Sequence, residues 1–163
     1  MTTPVPPVPT GLAGVTAYLT VDDASAAIDF YEKSFGAIER PGRLESPDGK
    51  IMHTTLEIAG TGIMLADEFP AMEALGPNSL GDTPVKLNLF VDDAAAVVDT
   101  AVANGAELLM PVERQFYGHV AARVRDPFGH SWIVSTQVEA LTAQEMQDRF
   151  QKLFPVSGDG SDA

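Results

Sequence analysis

The side chains able to do chemistry in this chain of 163 residues are few: three histidines, 23 carboxylates, 10 basic groups and no cysteine. Lack of cysteine removes disulfides, thiolate nucleophiles and zinc–thiolate clusters together, and it suits a reducing compartment. His53, His119 and His130 supply the imidazoles. His53 and His119 open comparable strand-like segments, so a pair facing across a cleft is one reading. Strand-end and turn residues with ordinary hydrogen bonds, His130 among them, are the other. Strand alternation puts His53, Thr55 and Glu57 on one face of segment 51–58, opposite Thr54, Leu56 and Ile58. Arg123 is the approximate counterpart of Glu57 in the second half of the chain. A glutamate and an arginine lining one cavity would orient a polar ligand or act as base and electrophile, whereas a plain ion pair between strands would carry no chemistry. There is no Ser-His-Asp order, phosphate loop or dinucleotide fingerprint; Ala59-Gly60-Thr61-Gly62 reads as a strand turn.

The elements that must position these groups are visible because the chain repeats itself. Val21-Asp22-Asp23-Ala24 recurs 70 residues later as Val91-Asp92-Asp93-Ala94. An alternating stretch precedes each copy, with Ala17, Leu19 and Val21 on one face in the first and Leu87, Leu89 and Val91 in the second. Tyr18, Thr20, Asn88 and Phe90 then line the opposite, ligand-facing side, with Met52, Phe116, Tyr117 and Trp132 as walls or core. Each copy opens a helix with an aspartate at its start and a glycine, Gly36 or Gly105, at its end. Ala24, Ala27, Ile28, Tyr31 and Phe35 form the apolar stripe of the first, and Ala94, Val97, Val98, Ala101 and Val102 that of the second. Strand-like segments follow at 37–44, 51–58 and 63–66, and again at 107–111, 120–125 and 131–136.

The predicted architecture is therefore α+β, two tandem β-α-β-β-β modules over 14–66 and 84–136, within one domain spanning 14–154. A linker over 67–83, broken by Pro70, Gly76, Pro77 and Gly81, joins them and has the length of loops that cover sites. Thr142 and Glu145 form a capping box for a last helix over 142–153, whose Met146, Arg149, Phe150 and Leu153 share a side suited to docking on the domain or a partner subunit. A Pro-rich arm over 1–13 and a disordered tail over 155–163 flank the domain. No apolar run approaches the ~20 residues of a membrane span, and a net charge of −13 opposes nucleic acid and anionic lipid. A cytoplasmic protein with a neutral or cationic small partner is expected, with no nucleic acid and no membrane among its partners.

Several motifs together resemble the vicinal oxygen chelate superfamily of glyoxalases, bleomycin-resistance proteins and dioxygenases, in its PhnB-like branch. They are Tyr18-Leu19-Thr20-Val21-Asp22-Asp23-Ala24, Ile28-Asp29-Phe30-Tyr31, Asp48-Gly49-Lys50-Ile51-Met52-His53, Ile63-Met64-Leu65-Ala66-Asp67-Glu68, Gln115-Phe116-Tyr117-Gly118 and Asp126-Pro127-Phe128-Gly129-His130. The resemblance implies an open half-barrel cleft of eight strands and a homodimer. Metal-dependent members place His or Glu near the start of each first strand and on each last strand. That mapping falls on Thr16, Lys86, Met64 and Ile133, a set unable to hold a divalent ion in the family manner. Branch relatives also show an Asp-Arg pair after the Tyr-Gly step and a histidine after the threonine at 136; this chain has His119, Val120 and Gln137 there.

Two functions follow from the resemblance. One is a binding module without metal or cofactor that sequesters an amphipathic or cationic small molecule, such as an antibiotic, through Tyr18, Thr20, His53, Glu57, Asn88, Phe90, His119 and Arg123. The other is a metal-dependent lyase, isomerase or dioxygenase with a relocated site at His53 and His119. An enzyme without metal, using Glu57 or a histidine, lies between them.

Overall fold

The computed structural model describes residues 7–9, 12 and 14–154. The tail expected over 155–163 lies outside the described residues, as does most of the arm. The first module runs β1 (Tyr18–Val21), α1 (Ala24–Phe35), β2 (Ile38–Glu39), β3 (Leu44–Glu45), β4 (Ile51–Ile58) and β5 (Thr61–Asp67). The linker follows with a 3-10 turn at Pro70–Met72 and a short helix, α2 (Pro77–Leu80). The second module runs β6 (Lys86–Phe90), α3 (Ala94–Ala103), β7 (Glu107–Arg114), β8 (His119–Arg125) and β9 (Ser131–Gln137), and α4 (Ala143–Leu153) closes the chain. Two mixed sheets result, ordered β1-β5-β4-β2 with β3 also on β4, and β6-β9-β8-β7. Each first strand lies parallel to its module's last strand, and the others are antiparallel. The sheets do not close into a barrel.

The same capping logic starts both long helices. Asp23 and Asp93 accept from Ala26 N at 2.9 Å and Ala96 N at 3.1 Å, satisfying donors that the first helical turn leaves free. A second tie comes from the module's last strand: Ala24 N donates to Asp67 Oδ1 and Ala94 N to Thr136 Oγ1, both at 2.8 Å. Asp67 also accepts from Ile51 N at 2.6 Å, so one buried carboxylate holds α1, β4 and β5 together. At the far end Gly36 adopts φ 65°, the left-handed cap that a side chain disfavours. α3 instead ends on Asn104, and Gly105 turns one residue later at φ 106°.

The alternation predicted for the first strands holds. Leu19, Val21 and Leu89 are buried, with Ala17, Leu87 and Val91 packed against the same core. Tyr18 and Phe90 are about half exposed on the other face, at 50% and 51%. Leu56 and Ile58 also face the helices. Three expectations need correction. Segment 37–44 splits into β2 and β3, because Pro41 and Gly42 interrupt it. The linker is partly regular, since Pro77 suits a first helical turn. Val102 is 40% exposed, lying off the α3 stripe that buries Ala94, Val98 and Ala101. The box at Thr142 and Glu145 forms, no residue of α4 is buried, and Phe150 contacts Phe116 while Met146 and Leu153 stay exposed.

One aromatic core joins the modules. Tyr31 and Phe35 of α1 pack on Trp132 of β9, with centroids 5.6 and 4.8 Å apart, and Phe30 and Tyr31 reach Phe128. Within it sits Asp126, 3% exposed, whose carboxylate accepts four hydrogen bonds. Phe128 N and His130 N donate to Oδ1 at 3.0 and 2.9 Å, and Tyr31 Oη and Trp132 Nε1 donate to Oδ2 at 2.7 and 2.8 Å. A buried charge of this kind is tolerable only because it is fully solvated by protein donors.

Two outcomes follow. Asp126→Ala strands four buried donors and should cost roughly 3–5 kcal/mol in urea unfolding, against about 1–3 kcal/mol for Tyr31→Phe. Burial, with Asp126 beside it, holds the Tyr31 phenol protonated well above its ordinary 10.0. The neutral form is the one folding favours, so this stabilisation is complete below pH ~10 and drains as pH rises through the higher folded-state value. Unfolding midpoints followed into alkali should therefore fall more steeply for the wild type than for Tyr31→Phe, and parallel curves would contradict the assignment.

Candidate functional site

The face turned away from the helices carries every candidate residue except His130. In the first sheet Tyr18 stands beside Met64, and Met64 beside Thr55. In the second, Asn88 stands beside Ile133, and Ile133 beside Arg123. The two rows are related by the internal repeat. The register neighbours of Met64 and Ile133 are Tyr18 and Asn88. Lys86 pairs in register with Ser131.

The rows also re-match Glu57 and Arg123. Arg123 corresponds to Thr55, whereas Glu57 corresponds to Arg125, one row further along. Glu57 and Arg125 each carry an ion pair, Glu57 with Arg40 at 2.5 Å and Arg125 with Glu107 at 3.0 Å. Glu57 and Arg123 therefore lie on different sheets and form no pair. Arg40 was invisible to strand periodicity, because it follows β2 in the interrupted segment; its backbone N–H to Thr55 O, at 2.8 Å, brings it beside β4.

The three imidazoles meet different partners. Tyr18 Oη lies 3.0 Å from His53 Nδ1 and 3.4 Å from Met52 O, and burial raises the phenol's pKa above its ordinary value. His119 meets Phe90 and Tyr117 edge-on, with centroids 5.4 and 5.2 Å away, so it belongs to an aromatic wall. His130 acts as a clamp at the linker end of the cleft, its Nε2 3.1 Å from Thr20 O across the module boundary. Among the described residues no group of three or more His, Cys, Asp or Glu side chains is placed to hold a metal ion. Trp132 is core, 4% exposed, while Met52 is exposed.

The two ends of the cleft differ. Beside Thr20 the linker packs down: Leu75, Pro77, Leu80 and Thr83 close over Tyr18, Thr20 and His130 around a pocket of 190 Å³. Asn78 Nδ2 anchors α2 by donating to Asp22 Oδ2 at 3.1 Å and to Pro127 O at 3.0 Å. At the other end no linker intervenes, and a 290 Å³ pocket opens between the starts of β1 and β5 and strand β6. Only Asn88 and Phe90 of the candidate residues border it; the rest of its lining, including Ala17, Ile63, Leu89 and Trp132, belongs to the core side. The polar candidates instead lie on the open floor. No described helix is long and apolar enough to cross a membrane.

Residues 12–134 match the sequence profile of the Glyoxalase/Bleomycin resistance protein/Dioxygenase superfamily. A Mycobacterium bovis protein, itself described as uncharacterised, is 41% identical over 136 residues, spanning 82% of this chain and 89% of the relative. The X-ray structure of an Arabidopsis thaliana gene product is similar at 28% identity and TM-score 0.60, covering 76% of this chain and 98% of that one. The PhnB protein of Bacillus cereus shares the fold at 19% identity and TM-score 0.56, covering 75% of this chain and 98% of that one.

The linker contact can be tested at Gly76. Its φ of −89° suits any residue, but an added Cβ would lie 2.6 Å from Thr20 O, closer than real Cβ atoms come. Gly76→Ala should lift the linker from β1, lowering stability by about 1–3 kcal/mol and speeding hydrogen exchange over 75–84. Unchanged exchange there would mean that the linker does not rest on β1.

Proposed function

This chain belongs to the Glyoxalase/Bleomycin resistance protein/Dioxygenase superfamily, and from that premise we propose that it binds a small organic molecule on its concave floor without coordinating a metal. The observation that carries the reading is the two pairs Tyr18–Met64 and Asn88–Ile133, each side by side within its own sheet and at mirrored places in the repeat. A divalent ion needs nitrogen or oxygen donors of suitable charge converging on one point. A phenol, a thioether, an amide and an alkyl group do not fit one. They do fit an organic ligand, since Tyr18 and Phe90 offer half-exposed rings and Asn88, Thr20, His53 and His119 offer polar edges. Sequestration, rather than turnover, is the activity such a floor supports. Glu57 is engaged by Arg40 and is no free base.

Within the superfamily we place the chain in the PhnB-like branch, supported by the Gln115-to-Gly118 and Asp126-to-His130 motifs and by the fold shared with the Bacillus cereus protein. We also propose a cytoplasmic homodimer. The exposed side of α4, with Met146, Phe150 and Leu153, is the kind of apolar stripe that proteins cover, and β2 and β7 are sheet edges. Light scattering at micromolar concentration should give twice the 17.3 kDa chain mass; a monomer would overturn the pairing.

For the site itself, protein purified without chelators should contain no stoichiometric zinc, nickel or iron, and EDTA should leave its melting temperature unchanged. A metal bound only to the folded state would add stability through linkage. Tyr18→Ala and Phe90→Ala should each weaken binding of an aromatic probe by about fivefold or more. Stoichiometric metal lost on EDTA treatment, and lost again in His53→Ala or His119→Ala, would replace this reading with the metal-dependent enzyme.

A further inference from the structure

Five of the six arginines meet carboxylates: Arg40 with Glu57, Arg43 with Glu39 and Glu45, Arg114 and Arg149 with Glu139, and Arg125 with Glu107. Arg123 does not. Among the described residues its guanidinium makes no ion pair or hydrogen bond, and its Nε is shut off from solvent with no acceptor. Shortage of partners is not the reason, because 23 carboxylates face 10 cations in this chain. A buried donor left without an acceptor lowers the stability of the fold. Such a cost at the floor of a cleft, in a chain that pairs every other arginine, marks a place where an acceptor arrives from outside.

We propose that Arg123 receives the oxyanion of a small organic acid, which names the ligand class for the cleft and rests on the small-molecule reading above. The surroundings match this chemistry. Across the row Ile133 separates Arg123 from Asn88, a span of two strand spacings or about 10 Å, which long side chains can bridge from both sides. Asn88 Oδ1 accepts from Ser135 Oγ at 3.4 Å, while its Nδ2 has no acceptor among the described residues. Lys86, one row away, is exposed and makes no ion pair. Three donors thus share one floor, around the apolar surface of Ile133 and beside Phe90. A planar carboxylate suits the guanidinium fork, and the acid's apolar body suits Ile133 and Phe90. The net charge of −13 elsewhere disfavours multiply charged ligands, so a monoanion with an apolar body is the class selected.

The experiment compares phenylacetate with its neutral isostere phenylacetamide on the full chain, following the arginine Nε–Hε signals by NMR. Phenylacetate should move the Arg123 signal saturably and leave those of Arg43 and Arg125, already held by carboxylates, in place. The amide should bind about tenfold more weakly or worse. Arg123→Met should erase the preference for the acid while leaving the ligand-free melting temperature unchanged or higher, because no protein acceptor loses a partner. An Arg123 signal indifferent to phenylacetate, equal binding of acid and amide, or a fall of several degrees in Arg123→Met would each overturn the inference. If the amide still perturbs the signals of Tyr18, Phe90 and Ile133, only the acid preference falls and the small-molecule reading stands. If neither compound perturbs them, both fall.

Discussion

The arrangement of the whole molecule depends on one buried carboxylate. Asp126 gathers two backbone donors of its own turn, the indole of Trp132 on β9 and the hydroxyl of Tyr31 on α1. Three of these belong to the second module and one to the first. The charge is tolerable in the core only while all of them are present. It therefore couples the modules more strictly than apolar packing alone, which accepts small slides. The turn it shapes also presents His130 to Thr20 O, tying the second module to β1 on the cleft side.

The internal repeat explains most of what is shared and, by its failures, most of what is specific. Both modules start their helix with an aspartate and bind that helix to their last strand, but through Asp67 in one and Thr136 in the other. Both set a β4–β5 type hairpin, but the first turns at Ala59 and Gly60 while the second inserts the Asp126 loop. At the mirrored pair Thr55 and Arg123 the first module has a neutral hydroxyl and the second a cation. One end of the cleft lies under the linker, and the other opens into the 290 Å³ pocket. A duplicated scaffold has in this way acquired a floor with one charged side and one closed end.

Charge acts locally here in a sense opposite to its total. A chain at −13 repels anions at a distance. On the floor, though, the nearby carboxylates Glu57 and Glu107 are consumed by Arg40 and Arg125. Arg123 is left without an acceptor, and Glu113, in register with Ala121 on the same face, stands outside any ion pair among the described residues. The proposed acid departs from the neutral or cationic partner suggested by composition because short-range hydrogen bonding to a guanidinium outweighs a field that salt screens beyond about 8 Å.

From sequence alone the two modules, their helix caps, the buried faces of β1 and β6 and the capping box at Thr142 could all be read. Each rests on interactions within a few residues, where period and capping chemistry act directly. Register between strands could not be read, because it depends on partners far along the chain; that is why Thr55 replaced Glu57 as the match of Arg123. The pairing of Glu57 with Arg40, the burial of Asp126 and the isolation of Arg123 are likewise products of side chains meeting from distant segments. Local pattern determined which elements this chain forms and which way each one faces. Which charges are answered and which are left for a ligand was decided only when the tertiary structure brought those faces together.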